Sequence, residues 1–235
     1  MKVLAFDTSS KALSLAILED KQVLAETTIN IKKNHSITLM PAIDFLMASL
    51  DWTPKDLDRI VVAEGPGSYT GLRIAVATAK TLAHTLNIEL VGMSSLLALV
   101  PYQQEGLFVP LQEGLFVPLM DARRNNVYAG FYENAKPVMA EAHLPFERVI
   151  ELIKGASQVT FVGEVGPFVE QIQKHLPRTD YKETLPNAAN LALLAWDKEA
   201  DSLHDFVPNY LKRVEAEENW LKNHTESGES YIKRL

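Results

Sequence analysis

The chain has 235 residues, of which 47% are apolar and 23% charged, with a formal net charge of −7 and no cysteine. That length suits one large domain or two lobes of about 100 residues each. The missing cysteines exclude disulfides, thiolate metal sites and cysteine nucleophiles. The acidic balance makes the chain a poor holder of a phosphate backbone on its own, so a nucleic-acid role would need a basic partner. No apolar run approaches the ~18 to 20 residues that cross a bilayer. The run from Val3 meets Asp7 too soon for a signal-peptide core. The expectation is a cytosolic, cytoplasmic globular protein that does not engage a membrane.

Three strand-like runs come first: Val3 to Asp7, Ala12 to Leu18 and Gln22 to Asn30. The last two meet at Glu19-Asp20-Lys21, a polar turn between apolar runs. Ile37, Met40, Ile43, Met47 and Leu50 recur at helical spacing and predict a helix over Ser36 to Leu50, with Pro41 in its first turn or at a kink. Thr53-Pro54-Lys55-Asp56 has the form of a helix start, with a capping hydroxyl, a proline and an acid in the first turn. Arg59 to Glu64 is a short buried strand, followed by Gly65-Pro66-Gly67-Ser68. Leu72 to Leu86 forms a second helix and Glu89 to Gly92 a further strand.

The second half begins the same pattern again. Asp7 ends an apolar strand and is followed twelve and thirteen residues later by Glu19-Asp20; Asp121 ends Val117 to Met120 and is followed at the same spacing by Glu133-Asn134. A strand over Val127 to Tyr132, a helix over Pro145 to Lys154 and a strand over Val159 to Val162 follow, then helices near Phe168 to Leu176 and Asn187 to Ala200. Two copies of one βββαβα unit, with an aspartate at the same corner, predict an α/β fold of two lobes facing a cleft. Two unrelated hairpins of similar length would give the same spacing. The octapeptide Gln104 to Leu111 recurs identically as Gln112 to Leu119 at the lobe junction, where insertions are best tolerated; no function attaches to it.

Two segments could carry chemistry. At Asp7-Thr8-Ser9-Ser10 the hydroxyls and backbone N–H groups could meet phosphate oxygens while the aspartate organises Mg²⁺. A tight turn in which these groups bond neighbouring backbone is the plainer reading. Gly65-Pro66-Gly67-Ser68-Tyr69-Thr70-Gly71 lies between a strand and a helix start, where free N–H groups and the dipole suit an anion. Its spacing is neither that of a dinucleotide-binding loop nor that of a P-loop. Ligand contact and loop shape both remain open for it.

The helix after that loop, with Leu72, Ala75, Val76, Ala79 and Ala83, is too apolar for one face on a sheet and the other in water. The ladder Ala75, Ala79, Ala83 would let another helix approach closely. The helix over 36–50 is also over-apolar. Both belong to the first lobe, which favours an intermolecular helix contact over cover by the chain's other lobe. On that reading Ala79→Glu abolishes partner binding and leaves the monomer folded. Catalytic constellations are missing: the six histidines are scattered, with no pair at metal-binding spacing, and no nucleophile elbow appears. Val159 to Gly166 has the order of a nucleotide-holding loop, but Glu164 would oppose a phosphate.

At Leu4 to Ser10 (LAFDTSS), Val62 to Ala83 (VAEGPGSYTGLRIAVATAKTLA), Met120 to Tyr132 (MDARRNNVYAGFY) and Pro208 to Arg213 (PNYLKR) the chain resembles the TsaB (YeaZ) family, within the actin-like, sugar-kinase and Hsp70 superfamily, abbreviated ASKHA. The resemblance implies a two-lobed actin-like, RNase H-like fold. It implies a non-catalytic partner in forming N6-threonylcarbamoyladenosine at position 37 of tRNAs that read ANN codons. Transfer would be carried by a TsaD-type relative, with a TsaE-type ATPase joining and a TsaC-type synthase supplying product to the complex. In isolation the chain would pair with itself, and tRNA would be met only through the complex. The TsaD-type relative holds a metal through a histidine pair where this chain has Gly92-Met93-Ser94-Ser95-Leu96-Leu97, which offers no imidazole. No cofactor is firmly implied beyond weak ATP or ADP with Mg²⁺ at the level of the complex. The vestigial nucleotide site would comprise Asp7, Thr8, Ser9, Ser10, Gly65, Gly67, Ser68 and Asp121. The partner interface would comprise His35, Leu39, Ile43, Leu46 and Leu50 on one helix and Leu72, Ala75, Val76, Ala79 and Ala83 on the other.

The expected division is residues 1–103 as the first lobe with the interface, 104–207 as a second, degenerate lobe, and 208–235 as a segment packing back on the first lobe before a tail. Two rival readings stand beside the partner reading. One is an ATP-dependent phosphotransferase or ATPase using Asp7, Ser9, Gly67 and Asp121. The other is a metallopeptidase, against which the missing histidine pair argues.

Overall fold

The computed structural model describes residues 1–31, 34–101 and 114–212. The first copy of the octapeptide and the tail from Trp220 lie outside them. The chain opens with β1 (Lys2–Asp7), β2 (Leu13–Glu19) and β3 (Gln22–Ile29), then α1 (His35–Ser49), β4 (Arg59–Gly65), α2 (Tyr69–Leu86) and β5 (Glu89–Ser94). The second unit runs β6 (Leu115–Asp121), β7 (Asn126–Glu133), β8 (Lys136–Pro145), α3 (Phe146–Leu152), β9 (Val159–Gly163), α4 (Val169–His175), β10 (Asp180–Glu183) and α5 (Ala188–Leu194).

The two halves have one topology. The first sheet has the order β3-β2-β1-β4-β5 and the second β10-β9-β6-β7-β8, which is the same order read from the other end. In each, the first two strands pair antiparallel while the first and fourth pair parallel: β1 with β4, and β6 with β9. The repeat seen in the spacing of Asp7 and Asp121 is therefore a repeat of the whole sheet.

Strand alternation decides what covers each face. Leu4 and Phe6 of β1, Leu13, Leu15 and Ile17 of β2, and Ile60 and Val62 of β4 pack with α1 and α2 in one core. Val3 and Ala5, Ala16 and Leu18, and Val61 and Ala63 point the other way, onto Ala188, Leu191, Ala192 and Ala195. The first sheet thus borrows its second cover, α5, from a segment that follows the second sheet. That helix is seated by Asn187, whose N–H donates to the Ala98 carbonyl at 2.9 Å, and by the Ala188 N–H, which donates to the buried Ser14 hydroxyl at 2.9 Å. The second sheet packs α3 and α4 on one face through Phe146, Val149 and Ile172. Its other face, with Met120, Tyr132 and Val162, meets Leu96, Leu99 and Val100 of the lobe connection.

Some expectations change. The helix start at Thr53 is a single 3₁₀ turn, Pro54–Asp56, closed by a capping box in which the Thr53 N–H donates to Asp56 Oδ2 at 2.7 Å. The helix expected over Asn187 to Ala200 ends at Leu194. The segment after it runs along the outer edge of β5: the Asp201 N–H donates to the Leu90 carbonyl, and Asp201 Oδ2 accepts the Gly92 N–H at 2.7 Å. It then lays Phe206 on Gly92 and brings the Asn209 N–H to the Glu64 carbonyl at 2.7 Å. Residues 201–210 are in this way strapped to the first lobe.

Candidate functional site

The corner after β1 and the corner after β6 face each other across a cleft of about 830 Å³. Ser9, Ser10, Lys11, Gly67 and Ser68 line it from one side and Asp121, Ala122, Arg123 and Glu164 from the other. The two corners are built alike. Asp7 Oδ1 accepts the Ser9 N–H at 2.6 Å, and Asp121 Oδ1 accepts the Arg123 N–H at 2.8 Å. An aspartate bonded to the N–H two residues on closes a tight Asx turn, so the sequence match between them is also a match of local geometry.

Asp7 and Thr8 do not line the cleft; they are buried beside it. Asp7 Oδ2 and Ser9 Oγ are buried without a hydrogen-bond partner among the described residues. Loss of hydration pushes the Asp7 carboxyl up to about 6, against the pull of the bond from the Ser9 N–H and the charge of His35. Across the cleft, Glu164 Oε2 accepts the Asp121 N–H at 2.8 Å. The Glu164 carboxyl is held above its usual range by burial, and the Asp121 and Glu183 charges add to this. Lys11 and Arg123 bring positive charge to the cleft; their place there was not foreseen, although Arg123 stands in the MDARRNN segment. No group of three metal-binding side chains occurs among the described residues.

The glycine loop is shaped around the chain's own backbone. At Gly67 (φ +156°) a Cβ would run into the Ser9 carbonyl, and at Gly65 (φ +134°) into that of Asn209. Gly71 lies against the Thr8 carbonyl in the same way. This close approach lets the Ser68 N–H donate to the Ser9 carbonyl at 2.6 Å and Thr8 Oγ1 donate to the Gly71 carbonyl at 2.8 Å. His35 Nε2 is 2.9 Å from the Ser10 carbonyl. Both first-lobe helices are therefore seated on the turn that follows β1.

The interface expected on those helices needs correction. Leu39, Ile43, Leu46, Leu72, Ala75, Val76, Ala79 and Ala83 are all buried in the chain's own core, and His35 and Leu50 are half-buried. Their stripe faces the sheet because β1, β2 and β4 offer Leu4, Phe6, Leu15 and Val62 on that side. The opposite face of α1 presents Ile37, Met40 and Phe45, with Phe45 68% exposed. On α2 the outward row is Tyr69, Arg73, Ala77 and Thr81. Tyr69 stacks on Tyr210 of the strap at 5.0 Å between ring centroids, and Arg73 Nη1 donates to the Tyr69 hydroxyl at 2.9 Å. An apolar outer face on a helix whose inner face is already packed is uncommon in a lone soluble chain.

Two sheets of one topology, repeated in tandem around a cleft with an Asx corner from each, define a two-lobed α/β protein with the actin-like, sugar-kinase (ASKHA) fold. The family model for TsaD, tRNA N6-adenosine threonylcarbamoyltransferase, matches residues 22–220. The chain is 38% identical over 236 aligned positions to the tRNA threonylcarbamoyladenosine biosynthesis protein TsaB of Bacillus subtilis, covering 95% of this chain and 99% of that protein. It belongs to the TsaB (YeaZ) family. A solved structure from Pseudomonas aeruginosa, described as an uncharacterized protein with similarity to peptidase YEAZ, superposes with a TM-score of 0.75 at 28% identity, covering 90% of this chain and 99% of that one. At 12% identity and a TM-score of 0.50, covering 84% and 95%, the fold alone is shared with the activator of 2-hydroxyisocaproyl-CoA dehydratase from Clostridium difficile with bound ADPNP.

Proposed function

We propose that this chain is a non-catalytic partner in the formation of N6-threonylcarbamoyladenosine at position 37 of ANN-reading tRNAs. It acts by forming a heterodimer with a TsaD-type catalytic relative, which a TsaE-type ATPase then joins, and it pairs with itself when alone. Membership of the TsaB family, over nearly the full length of the Bacillus subtilis protein, supports the pathway. The observation that carries the docking reading is the apolar outer face of α1, where Ile37, Met40 and Phe45 are exposed among the described residues, on the same side of the first sheet as the outward row of α2. Large side chains buried at the centre of an interface carry most of its affinity, and Ile37, Met40 and Phe45 are large and exposed. Tyr69 and Arg73 of α2 and Tyr210 of the strap are exposed residues of types that favour interface centres.

The test is light scattering after size exclusion on this chain, the TsaD-type protein of the same organism, and their mixture, followed by tRNA modification in the reconstituted system. A stoichiometric heterocomplex is expected, and Phe45→Asp is expected to weaken it at least ~100-fold while leaving the melting temperature of the free chain unchanged. A mixture that never forms a complex would refute the partner reading; unchanged affinity in Phe45→Asp would refute the face assigned to it.

A second reading, a stand-alone ATPase or phosphotransferase using Asp7, Ser9, Gly67 and Asp121, draws support from the unpartnered Asp7 Oδ2 and Ser9 Oγ. Tight Mg–ATP binding by the chain alone would favour it.

A further inference from the structure

A structure of this fold holds ADPNP, which raises the question of whether the residues at this chain's cleft fit a polyphosphate. Room is not the obstacle: about 830 Å³ lies within the roughly 300–1,000 Å³ of ordinary ligand pockets. The hydrogen-bond donors are. Phosphates are held by backbone N–H groups turned into a cleft, helped by cations. At the two corners and beside them, four backbone N–H groups are each taken by a carboxylate of the chain itself. Asp7 holds the Ser9 N–H at 2.6 Å, Asp121 holds that of Arg123 at 2.8 Å, Glu164 holds that of Asp121 at 2.8 Å, and Glu183 holds that of Gly166 at 2.6 Å. The N–H groups of Ser68, Ala122 and Glu164 go to the carbonyls of Ser9, Asn126 and Leu119. Of these carboxylates Asp121 and Glu164 line the cleft itself, beside the two cations Lys11 and Arg123; Asp7 is buried next to it.

An incoming phosphate would have to expel a carboxylate from its donor and then lie beside it as a like charge. We infer that this chain fills its own anion cradle, so that the cleft rejects nucleoside di- and triphosphates, with Glu164 as the residue that closes the second corner. The nucleotide-type residues fit as turn-formers and do not fit as ligand-holders. In this arrangement Asp7 and Asp121 fix the shape of the two corners. The first corner is the seat of α1 and α2, so the geometry retained from a nucleotide-type cleft serves the outer face of the lobe.

Calorimetric titration of the full chain with Mg–ATP and, separately, Mg–tripolyphosphate tests this, beside Glu164→Ala and Glu164→Gln, each checked by thermal denaturation. The wild type should give no binding at millimolar ligand. Glu164→Ala uncovers the Asp121 N–H and removes a like charge. It should raise the association constant for both ligands at least about tenfold. Glu164→Gln keeps an acceptor for that N–H and drops only the charge, so a smaller rise is expected. Micromolar binding of either ligand by the wild type overturns the inference. So does a folded Glu164→Ala that binds no better than the wild type; if that variant fails to fold, an unchanged Glu164→Gln does the same. A gain for Mg–ATP without one for tripolyphosphate also overturns it, because recognition would then rest on the adenosine. None of these results bears on the docking reading, which the heterocomplex tests.

Discussion

Replacing Asp7 by Asn removes a buried charge and leaves the side chain's shape almost unchanged, which isolates what that charge costs. The Asp7 carboxyl rises from 3.8 to about 6 on folding, chiefly because burial strips its hydration. At 1.36 kcal/mol per unit, the shift corresponds to about 3 kcal/mol. The sign follows from proton counting. Between pH 3.8 and about 6 the unfolded chain has released this proton and the native chain still holds it. The native state therefore loses stability as pH rises through that window, and the full cost is present by pH 7. In Asp7→Asn this contribution vanishes. An amide N–H₂ placed at the unpartnered Oδ2 position carries its own cost of about 1–3 kcal/mol, but that cost does not vary with pH. Urea denaturation of both proteins at several pH values from 4 to 8 gives the difference between them. The difference should move in favour of Asp7→Asn by about 2.5 kcal/mol between pH 4 and pH 8, part of the total having been lost below pH 4. A difference that stays flat across the range would refute the placement of Asp7 as a desolvated carboxyl.

Ala79→Glu, which a reading of α2 as an outer helix would pass as folded, puts a charge into a fully buried position of the first core; it should cost more than ~4 kcal/mol and yield no cooperative thermal transition. Arg59 pairs with Glu89 at 2.5 Å and donates to the Ala195 and Trp196 carbonyls at 3.0 and 2.9 Å, the open end of α5. Arg59→Ala should therefore lower stability by about 2–4 kcal/mol by chemical denaturation, and a loss under 0.5 kcal/mol would refute that role. At Gly92 an added Cβ would stand 2.5 Å from the Phe206 ring and 2.7 Å from Glu64 Oε2. Gly92→Ala should accordingly cost about 1–3 kcal/mol and increase proteolytic cleavage near Phe206, while leaving cleavage of the second lobe unchanged.

Most strands that were legible in the sequence are the ones buried by their neighbours; β3, at the edge of the first sheet and without a buried residue, was legible from the polar turn that joins it to β2. β1, β2, β4 and β9 are runs of Val, Ile, Leu and Phe that have few alternatives to a sheet interior. β8 and β10 lie at the edges of the second sheet, and their Lys136 to Pro145 and Asp180 to Glu183 segments carry polar residues in no strict alternation; pairing with β7 and β9 makes them strands, and composition does not reveal that. The phase of α1 was hidden for a different reason. Leu39, Ile43 and Leu46 form a helical stripe, but so do Ile37, Met40 and Phe45, and with no polar face between them the sequence does not say which stripe meets the sheet. The corner aspartates were legible because an Asx turn needs only one side chain and the backbone two residues on. The bond from the Asp121 N–H to Glu164 spans 43 residues and becomes visible only once β6 and β9 are adjacent.

The borrowed cover of the first sheet has a consequence for how the chain comes to be built. During synthesis Val3, Ala5, Ala16, Leu18, Val61 and Ala63 emerge early, yet the helix that shields them is encoded at Ala188–Leu194. Until translation has passed through the whole second lobe, that sheet has a bare apolar side, a surface of the kind that nascent chains lose to aggregation or to chaperones. In the native sequence order, cover for this face of the first sheet can form only after the second sheet has been synthesised. A circular permutant that began near Thr184 would deliver α5 and its strap before the strands they cover.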